Sequence, residues 1–230
     1  MYVRSHMTAP AVTVGPDEKL PAVREILAGR HFRHLPVVDG HGHLVGMVTD
    51  RDLRSAYPSP VMAEAGRQEL LAQLAATPVS AIMSRDLVWL GLLSTLDDAL
   101  FLLERHNVGA LPVVDAGQRV VGIFSVRDLL AAYRTLFGVG LRGSSLIEIV
   151  DDGRPRILST IIQALEERDI PFTRVVRAQG DQEEAGPGRI YIRVNTYNLR
   201  SVHAAVAEAG LRPVVAAPEP PAPEKPGHQG

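Results

Sequence analysis

The sequence predicts a mixed α/β protein in which two copies of a β-α-β-β-α unit are followed by a βαββαβ domain. The first observation is an internal repeat, because residues 79–133 match residues 3–57 without a gap and Met83 aligns with Met7. The second is that helical and strand spacing of apolar residues alternate in the same order in both copies. The third is that this pattern changes after Tyr133. A repeat of this length indicates one structural unit made twice, and two such units normally pack together.

Each copy begins with a short apolar segment, at residues 11–14 and again at 87–90. A helix is predicted next, because apolar residues recur at helical spacing. These residues are Leu20, Val23, Ile26 and Leu27 in the first copy, and Leu96, Ala99, Leu100 and Leu103 in the second. Ser94 or Thr95, with Asp97 and Asp98 behind it, is a suitable start for the second of these helices.

Two short strands joined by a polar turn follow in each copy. The predicted strands are residues 35–38 and 44–49, then 111–114 and 120–125. A closing helix starts near Asp50 in the first copy and near Val126 in the second. Between the copies, the leucines at 70, 71 and 74 indicate a short linker helix that ends before Pro78.

The remainder of the chain has a different order. Residues 136–143 are rich in glycine and are expected to form a hinge. The predicted order after it is βαββαβ, with strands at 145–150, 173–178, 189–195 and 213–216, helices at 157–167 and 199–209, and a polar loop at 180–188. Residues 218–230 are rich in proline and poor in apolar side chains, so they are expected to be a disordered tail.

The composition excludes several classes of function. The net charge of −2 gives no long-range attraction to nucleic acid or to an anionic membrane. The chain has no cysteine, which excludes disulfides, thiol catalysis and Cys-ligated zinc and fits a cytoplasmic protein. The most apolar stretch, residues 87–103, contains Asp97 and Asp98, so no membrane-spanning segment is expected.

The junction between the second strand of a pair and the closing helix carries the candidate chemistry. A hydroxyl, a guanidinium and a carboxylate converge there, and the helix N-terminus adds backbone N–H groups that favour an anion. These residues are Thr49, Arg51 and Asp52 in the first copy, and Ser125, Arg127 and Asp128 in the second. A sugar phosphate needs such a carboxylate for its diol and such donors for its phosphate. The simpler alternative is that Asp52 and Asp128 only stabilise the first turn of a helix.

No catalytic constellation is found in the sequence, which therefore predicts a protein that is not an enzyme. There is no nucleophile elbow and no P-loop, and the glycines at 138–143 are not a phosphate fingerprint. The histidines of the first copy do not predict a metal site, because no acidic ligand is placed to complete one. These histidines are His31, His34, His41 and His43.

Short segments recur in the same order in both copies: Met-Thr or Met-Ser near the start, LPVVD in the middle, and GMVTDRDL or GIFSVRDL at the end. On these segments, residues 3–133 resemble a pair of CBS domains, a Bateman module. The linker, with its Tyr-Pro-Ser-Pro start and Leu-Leu pair, resembles that of the acetoin-utilisation CBS proteins. By its element order and the turn DGRPRIL at 152–158, the rest of the chain resembles an ACT domain of the ferredoxin-like type.

The resemblance implies a division of the chain into domains. A CBS pair is expected at 1–134, made of one CBS domain at 1–57, a linker helix at 58–77 and a second CBS domain at 78–134. A hinge at 135–144, an ACT-like domain at 145–217 and the tail at 218–230 follow. ACT domains often bind small ligands beside a glycine where the first strand turns into the first helix, and this chain has Arg156 at about that place.

The resemblance also implies a ligand: an adenine nucleotide (AMP, ADP or ATP) in the cleft between the repeats. The matching acidic residue of a CBS domain holds the ribose, and the Ser or Thr reaches toward the phosphates. The base is expected beside Thr13, His34 and Pro36 in one copy, and beside Trp89, Ala110 and Pro112 in the other. Trp89 could stack on adenine, block the slot, or pack in the core.

These expectations lead to two hypotheses. The first is a non-catalytic regulatory protein, a homodimer, that senses the nucleotide and relays it to a regulated partner protein or to its own oligomer. The second is a structural or assembly protein whose clefts are empty. In that case the ACT-like domain serves dimerisation or binds a small ligand.

Overall fold

The computed structural model divides the chain into two compact units, Met1–Tyr133 and Arg134–Gly230. The residues that the structure describes are 1–30, 32–59, 61, 63–179 and 187–215. The predicted tail at 218–230 and most of the predicted loop at 180–188 lie outside them.

The first repeat contains two paired strands between two helices, followed by the linker helix. These elements are α1 (Leu20–Arg30), β1 (His34–Val38), β2 (Leu44–Thr49), α2 (Asp50–Ala56) and α3 (Glu64–Ala76). β1 and β2 are antiparallel, with His34 opposite Thr49. The strand predicted at 11–14 is reduced to one parallel bridge between Val14 and Val37.

The second repeat has the same order, with its first strand formed. Its elements are β3 (Leu90–Gly91), α4 (Leu96–Arg105), β4 (Ala110–Val114), β5 (Val120–Ser125) and α5 (Val126–Phe137). β3 is parallel to β4, and β4 is antiparallel to β5 with Ala110 opposite Ser125. Thr95 is the N-cap of α4, as one of the two predicted starts requires.

The two repeats exchange their first segments. Val3, at the start of the first repeat, is fully buried in the core of the second, and Thr8 bridges Ile123 of β5. In return, Val79 and Met83 of the second repeat lie in the core of the first. Each repeat therefore completes the other's core, and the two cannot separate without exposing apolar surface.

The second unit is a four-stranded sheet with two helices. Its elements are β6 (Ser144–Asp151), α6 (Ile157–Glu166), β7 (Phe172–Ala178), β8 (Gly188–Asn195), α7 (Leu199–Glu208) and β9 (Pro213–Val214). The strand order is β7-β8-β6-β9, and all neighbours are antiparallel. Ile161 of α6 and Val202 of α7 share one core with Ile149 and Ile190 of the sheet. Both helices therefore cover the same face.

Helix α5 continues further than the sequence predicts. Leu136 and Phe137 were expected in the glycine-rich hinge, but both are helical. The helix ends at Gly138, which has φ +63°, and Val139 N–H then donates to the carbonyl of Arg134. This is the left-handed glycine that commonly terminates a helix. No helix within the described part of the chain is long and apolar enough to cross a bilayer.

Candidate functional site

The junction between β2 and α2 is built by a reciprocal pair of hydrogen bonds. Thr49 is the N-cap of α2, and its Oγ1 accepts a hydrogen bond from Asp52 N–H at 3.2 Å. Thr49 N–H and Oγ1–H both donate to Oδ2 of Asp52, each at 2.7 Å. Such a capping box satisfies backbone donors that the first turn would leave unpaired. It uses one carboxylate oxygen of Asp52.

The second copy repeats this geometry at the start of α5. Ser125 N–H and Oγ–H donate to Oδ2 of Asp128, at 2.7 and 2.6 Å. Asp128 N–H returns a hydrogen bond to Ser125 Oγ at 3.3 Å. Among the described residues, Oδ1 of Asp52 and Oδ1 of Asp128 accept no hydrogen bond. Asp52 and Asp128 are half-buried, and each junction thus keeps a carboxylate oxygen that can accept two hydroxyl donors.

A third capping box shows that this motif stabilises the start of a helix and does not by itself indicate a ligand site. Thr95 and Asp98 make the same hydrogen bonds at the start of α4, where no nucleotide contact was predicted. Hydrogen bonds from the backbone and side chain of Thr95 lower the pKa of Asp98. The helix-start role of Asp52 and Asp128 therefore holds whether or not they bind a ligand, and a ligand role depends on their neighbours.

The structure brings the predicted base-binding residues of the first copy to its junction. His34 lies opposite Thr49 across the strand pair. Val14 N–H donates to the carbonyl of Pro36 at 3.1 Å, so the segment that carries Thr13 runs beside β1. Pro36 is buried, whereas Arg51 is exposed.

The equivalent residues of the second copy are placed in the same way. Ala110 lies opposite Ser125, and Pro112 is buried in β4. Trp89 precedes Leu90, which pairs with Val113 of the same strand. Trp89 is 43% exposed, so it does not pack in the core as one of its expected roles required. Arg127 is exposed, like Arg51 in the first copy.

His34 makes the two copies unequal in a way that the sequence pattern did not reveal. Its ring lies against Gly109, where a β-carbon would be 2.8 Å from Cε1 of His34. Gly109 aligns with Arg33 and His34 aligns with Ala110, so the contact between a histidine ring and a glycine occurs once and is not repeated in the other copy. Burial lowers the pKa of His34, Arg33 lowers it further, and Asp52 opposes the change. The fold therefore favours the neutral ring over the protonated one.

The turn that carries His41 and His43 in the first copy is stabilised by contacts among its own residues. Nδ1 of His43 lies 3.2 Å from Oδ2 of Asp39, and the rings of His41 and His43 are 6.0 Å apart. No group of three or more potential metal ligands occurs in the described ranges. His31 lies outside the described residues.

Two cavities, of about 440 and 310 Å³, are found in the second unit. The larger lies around Ile170 and the smaller around Tyr191. Neither is lined by a predicted nucleotide-binding residue.

Comparison with known proteins identifies the repeat. The family model described as CBS domain matches residues 3–59 and 79–135. A CBS domain-containing protein of Dictyostelium discoideum is 36% identical over 130 residues, which cover 56% of this chain and 89% of the relative. Two relatives that are enzymes match over a similar length, but the chain covers only 22% and 23% of them.

Solved structures are similar over the same share of the chain. CBSX2 in complex with AMP has a TM-score of 0.50 at 26% identity, with 59% of this chain and 98% of that chain covered. A Vibrio cholerae protein assigned to acetoin utilization, AcuB, has a TM-score of 0.51 at 26% identity, with 60% of this chain and 94% of that chain covered.

Proposed function

This chain belongs to the family of CBS-domain proteins, and we propose that it is a non-catalytic regulatory protein that binds an adenine nucleotide between its repeats. The observation that carries the proposal is the pair of junctions, each with a hydroxyl, a carboxylate oxygen without a partner in the described chain, and an exposed arginine. The AMP bound to CBSX2 supports the same ligand class here.

In this proposal each carboxylate has two roles. Oδ2 of Asp52 or Asp128 caps the helix, and Oδ1 accepts the ribose hydroxyls. The hydroxyl of Thr49 or Ser125 and the guanidinium of Arg51 or Arg127 then face the phosphate, which the helix N-terminus also favours. The base lies beside Thr13, His34 and Pro36, or beside Trp89, Ala110 and Pro112.

Calorimetry with AMP on the full chain tests the proposal, with ADP and ATP as further ligands. Asp52→Asn and Asp128→Asn are compared with Asp98→Asn, which alters an equivalent capping box outside the site. We expect AMP binding to weaken at least tenfold in one of the first two variants and to stay unchanged in Asp98→Asn. A ligand at 100 times its Kd should also stabilise the folded chain by about 2.7 kcal/mol. Absence of binding for all three nucleotides, or equal affinity in all variants, would refute the proposal.

We further propose that the chain is a homodimer. Helices α4 and α5 expose large apolar side chains, among them Phe101 at 57% and Leu130 at 63%. A second copy is the occupant we propose for the exposed faces of α4 and α5, because large exposed apolar side chains are stabilised when a partner removes them from water. The same surface supports the alternative function, an assembly protein with empty clefts, and the calorimetry separates the two.

For the second unit we propose an ACT-like role. The antiparallel order β7-β8-β6-β9 with both helices on one face is the arrangement expected of a ferredoxin-like domain of the ACT type. Arg156 has the left-handed backbone angle φ 61° that favours glycine, at about the place where ACT domains often have a glycine. A nucleotide would favour one arrangement of the repeats, and we propose that the segment at 135–144 passes this change on to the second unit. The regulated partner would read that change, and the likeness to AcuB suggests acetoin metabolism as its setting.

A further inference from the structure

The face of the four-stranded sheet opposite its helices contains a cavity of about 310 Å³. Its apolar and aromatic walls are Phe137, Val139, Leu146, Val176 and Tyr191. Several of these side chains are substantially exposed, with Leu146 at 53% and Val139 at 50%. Cavities that bind small molecules have such walls and begin at about this size.

Two arginines complete the lining, at paired positions of neighbouring strands and without a counter-charge. Arg174 of β7 and Arg193 of β8 are paired in register across the antiparallel ladder. Within the described chain neither makes an ion pair with a carboxylate, and no acidic residue lines the cavity. Like charges directly opposite each other destabilise a sheet. An anion in the cavity would relieve this repulsion.

The two guanidinium groups are not equally engaged. Nη2 of Arg174 donates to the carbonyl of Thr135 at 2.9 Å, and Nε donates to the carbonyl of Leu136, so this side chain closes the end of α5. Nε of Arg193 is buried and has no hydrogen-bond partner among the described residues. Leaving such a donor unpaired is costly. Arg193 is therefore the group with free capacity to bind an anion.

Gly138 keeps this arrangement in place. A β-carbon there would be 2.5 Å from Nη1 of Arg174, and the residue has φ +63°. Only glycine lets the chain turn at this point while the guanidinium lies against it. The turn brings Phe137 and Val139 to the cavity as walls.

We infer that this cavity binds a small organic monocarboxylate with an apolar body. The carboxylate accepts hydrogen bonds from Arg193, whose planar group matches the two oxygens of a carboxylate. The hydrocarbon part lies between Leu146, Val176 and Tyr191, where it removes apolar surface from water. Inorganic phosphate would neutralise the arginine charge but would leave the apolar walls exposed to water.

The test is a ligand-observed NMR titration of the full chain with hexanoate and phenylacetate. Hexanamide and phenylacetamide have the same bodies without the charge, and inorganic phosphate has charge without a body. We expect both carboxylates to bind, and the amides and phosphate to bind at least tenfold more weakly. Arg193→Gln should lower the carboxylate affinity at least tenfold, whereas Arg200→Gln, at an exposed arginine of α7, should leave it unchanged.

Leu146→Trp provides a second variant that keeps both arginines and fills the cavity, so it should also abolish binding. Arg193→Gln should fold with an undiminished melting temperature, because it removes one of two repelling charges. Binding of neither carboxylate, equal binding of amides or phosphate, or unchanged affinity in Arg193→Gln and Leu146→Trp would overturn the inference. No nucleotide enters the experiment, so its outcome is independent of AMP binding.

Discussion

The sulfur of Met83, in the second repeat, lies over Gly46 of the first, where a β-carbon would be 2.3 Å from it. Met7 and Gly122 repeat the relationship with the roles of the repeats exchanged, at 2.5 Å. Each strand β2 or β5 therefore needs a glycine because a methionine from the other repeat occupies the space. A glycine and a methionine thus recur at the same positions of both repeats because the repeats pack against each other there.

Gly46→Ala should destabilise the first unit by about 1–3 kcal/mol, the usual effect of inserting a methyl group into a filled core. Gly40→Ala is the matched control, since nothing lies within 4 Å of a β-carbon there. Urea unfolding of the full chain measures both. If Gly46→Ala were as stable as Gly40→Ala, the contact with Met83 would not restrict this position.

The pair can also be tested by a double-mutant cycle. Met83→Ala alone should cost about 2–5 kcal/mol, because Met83 is buried. In the Gly46→Ala background the same change should cost less, since the new methyl group occupies part of the space that the sulfur leaves. A coupling of about 0.5–3 kcal/mol is expected for residues in contact. Additive effects would contradict the packing.

His34 predicts a pH dependence of stability. Its folded-state pKa lies below the ordinary value of 6.5, so the unfolded chain binds this proton first as the pH falls. The contribution of the neutral ring is complete above about pH 6.5 and is lost progressively as the pH falls toward the folded-state pKa.

Urea unfolding at pH 7.5, 6.5 and 5.5 checks this dependence. The wild-type chain should lose more unfolding free energy between pH 7.5 and 5.5 than His34→Gln does. His106→Gln, at an exposed histidine, should follow the wild type. Equal losses in wild type and His34→Gln would show that burial of this ring does not control its protonation.

Arg156→Gly should stabilise the second unit slightly. Arg156 precedes α6 with φ 61° and makes no side-chain capping hydrogen bond. The left-handed conformation costs a residue with a β-carbon roughly 1–2 kcal/mol, and glycine removes this strain. Glycine also loses more conformational entropy on folding, which offsets part of the gain. A net gain of about 0.5 kcal/mol is expected by thermal unfolding. Arg156→Ala keeps the β-carbon and should give no gain, so an equal gain in both variants would point to the charge instead.

The proposed homodimer predicts an effect of polar substitutions on α4 and α5. Phe101→Glu combined with Leu130→Glu should give a monomer, because charges on an apolar interface must be desolvated. Leu71→Glu, at a 39% exposed leucine of α3, is the control and should remain a dimer. Light scattering after size-exclusion chromatography measures the mass. A dimer that persists in the double variant would place the interface elsewhere.

Local pattern accounts for most of the elements. The bounds predicted for β2 and β5 agree with the structure, and Thr95 caps α4, because strand alternation and helix caps are written in neighbouring residues. Local pattern also predicts the two junctions, since each lies within a few residues of chain. Their role in holding a nucleotide stays a prediction.

Other features depend on residues that are far apart in the chain. The burial of Val3 and Val79 in each other's repeats, the contact of His34 with Gly109, and the pairing of Arg174 with Arg193 all join such residues. Periodicity describes which face of one element is apolar, but it carries no information on which element covers that face. The order of residues was sufficient to predict the repeated unit and its helix caps, whereas long-range packing established the exchange of segments and the unequal sides of the cleft.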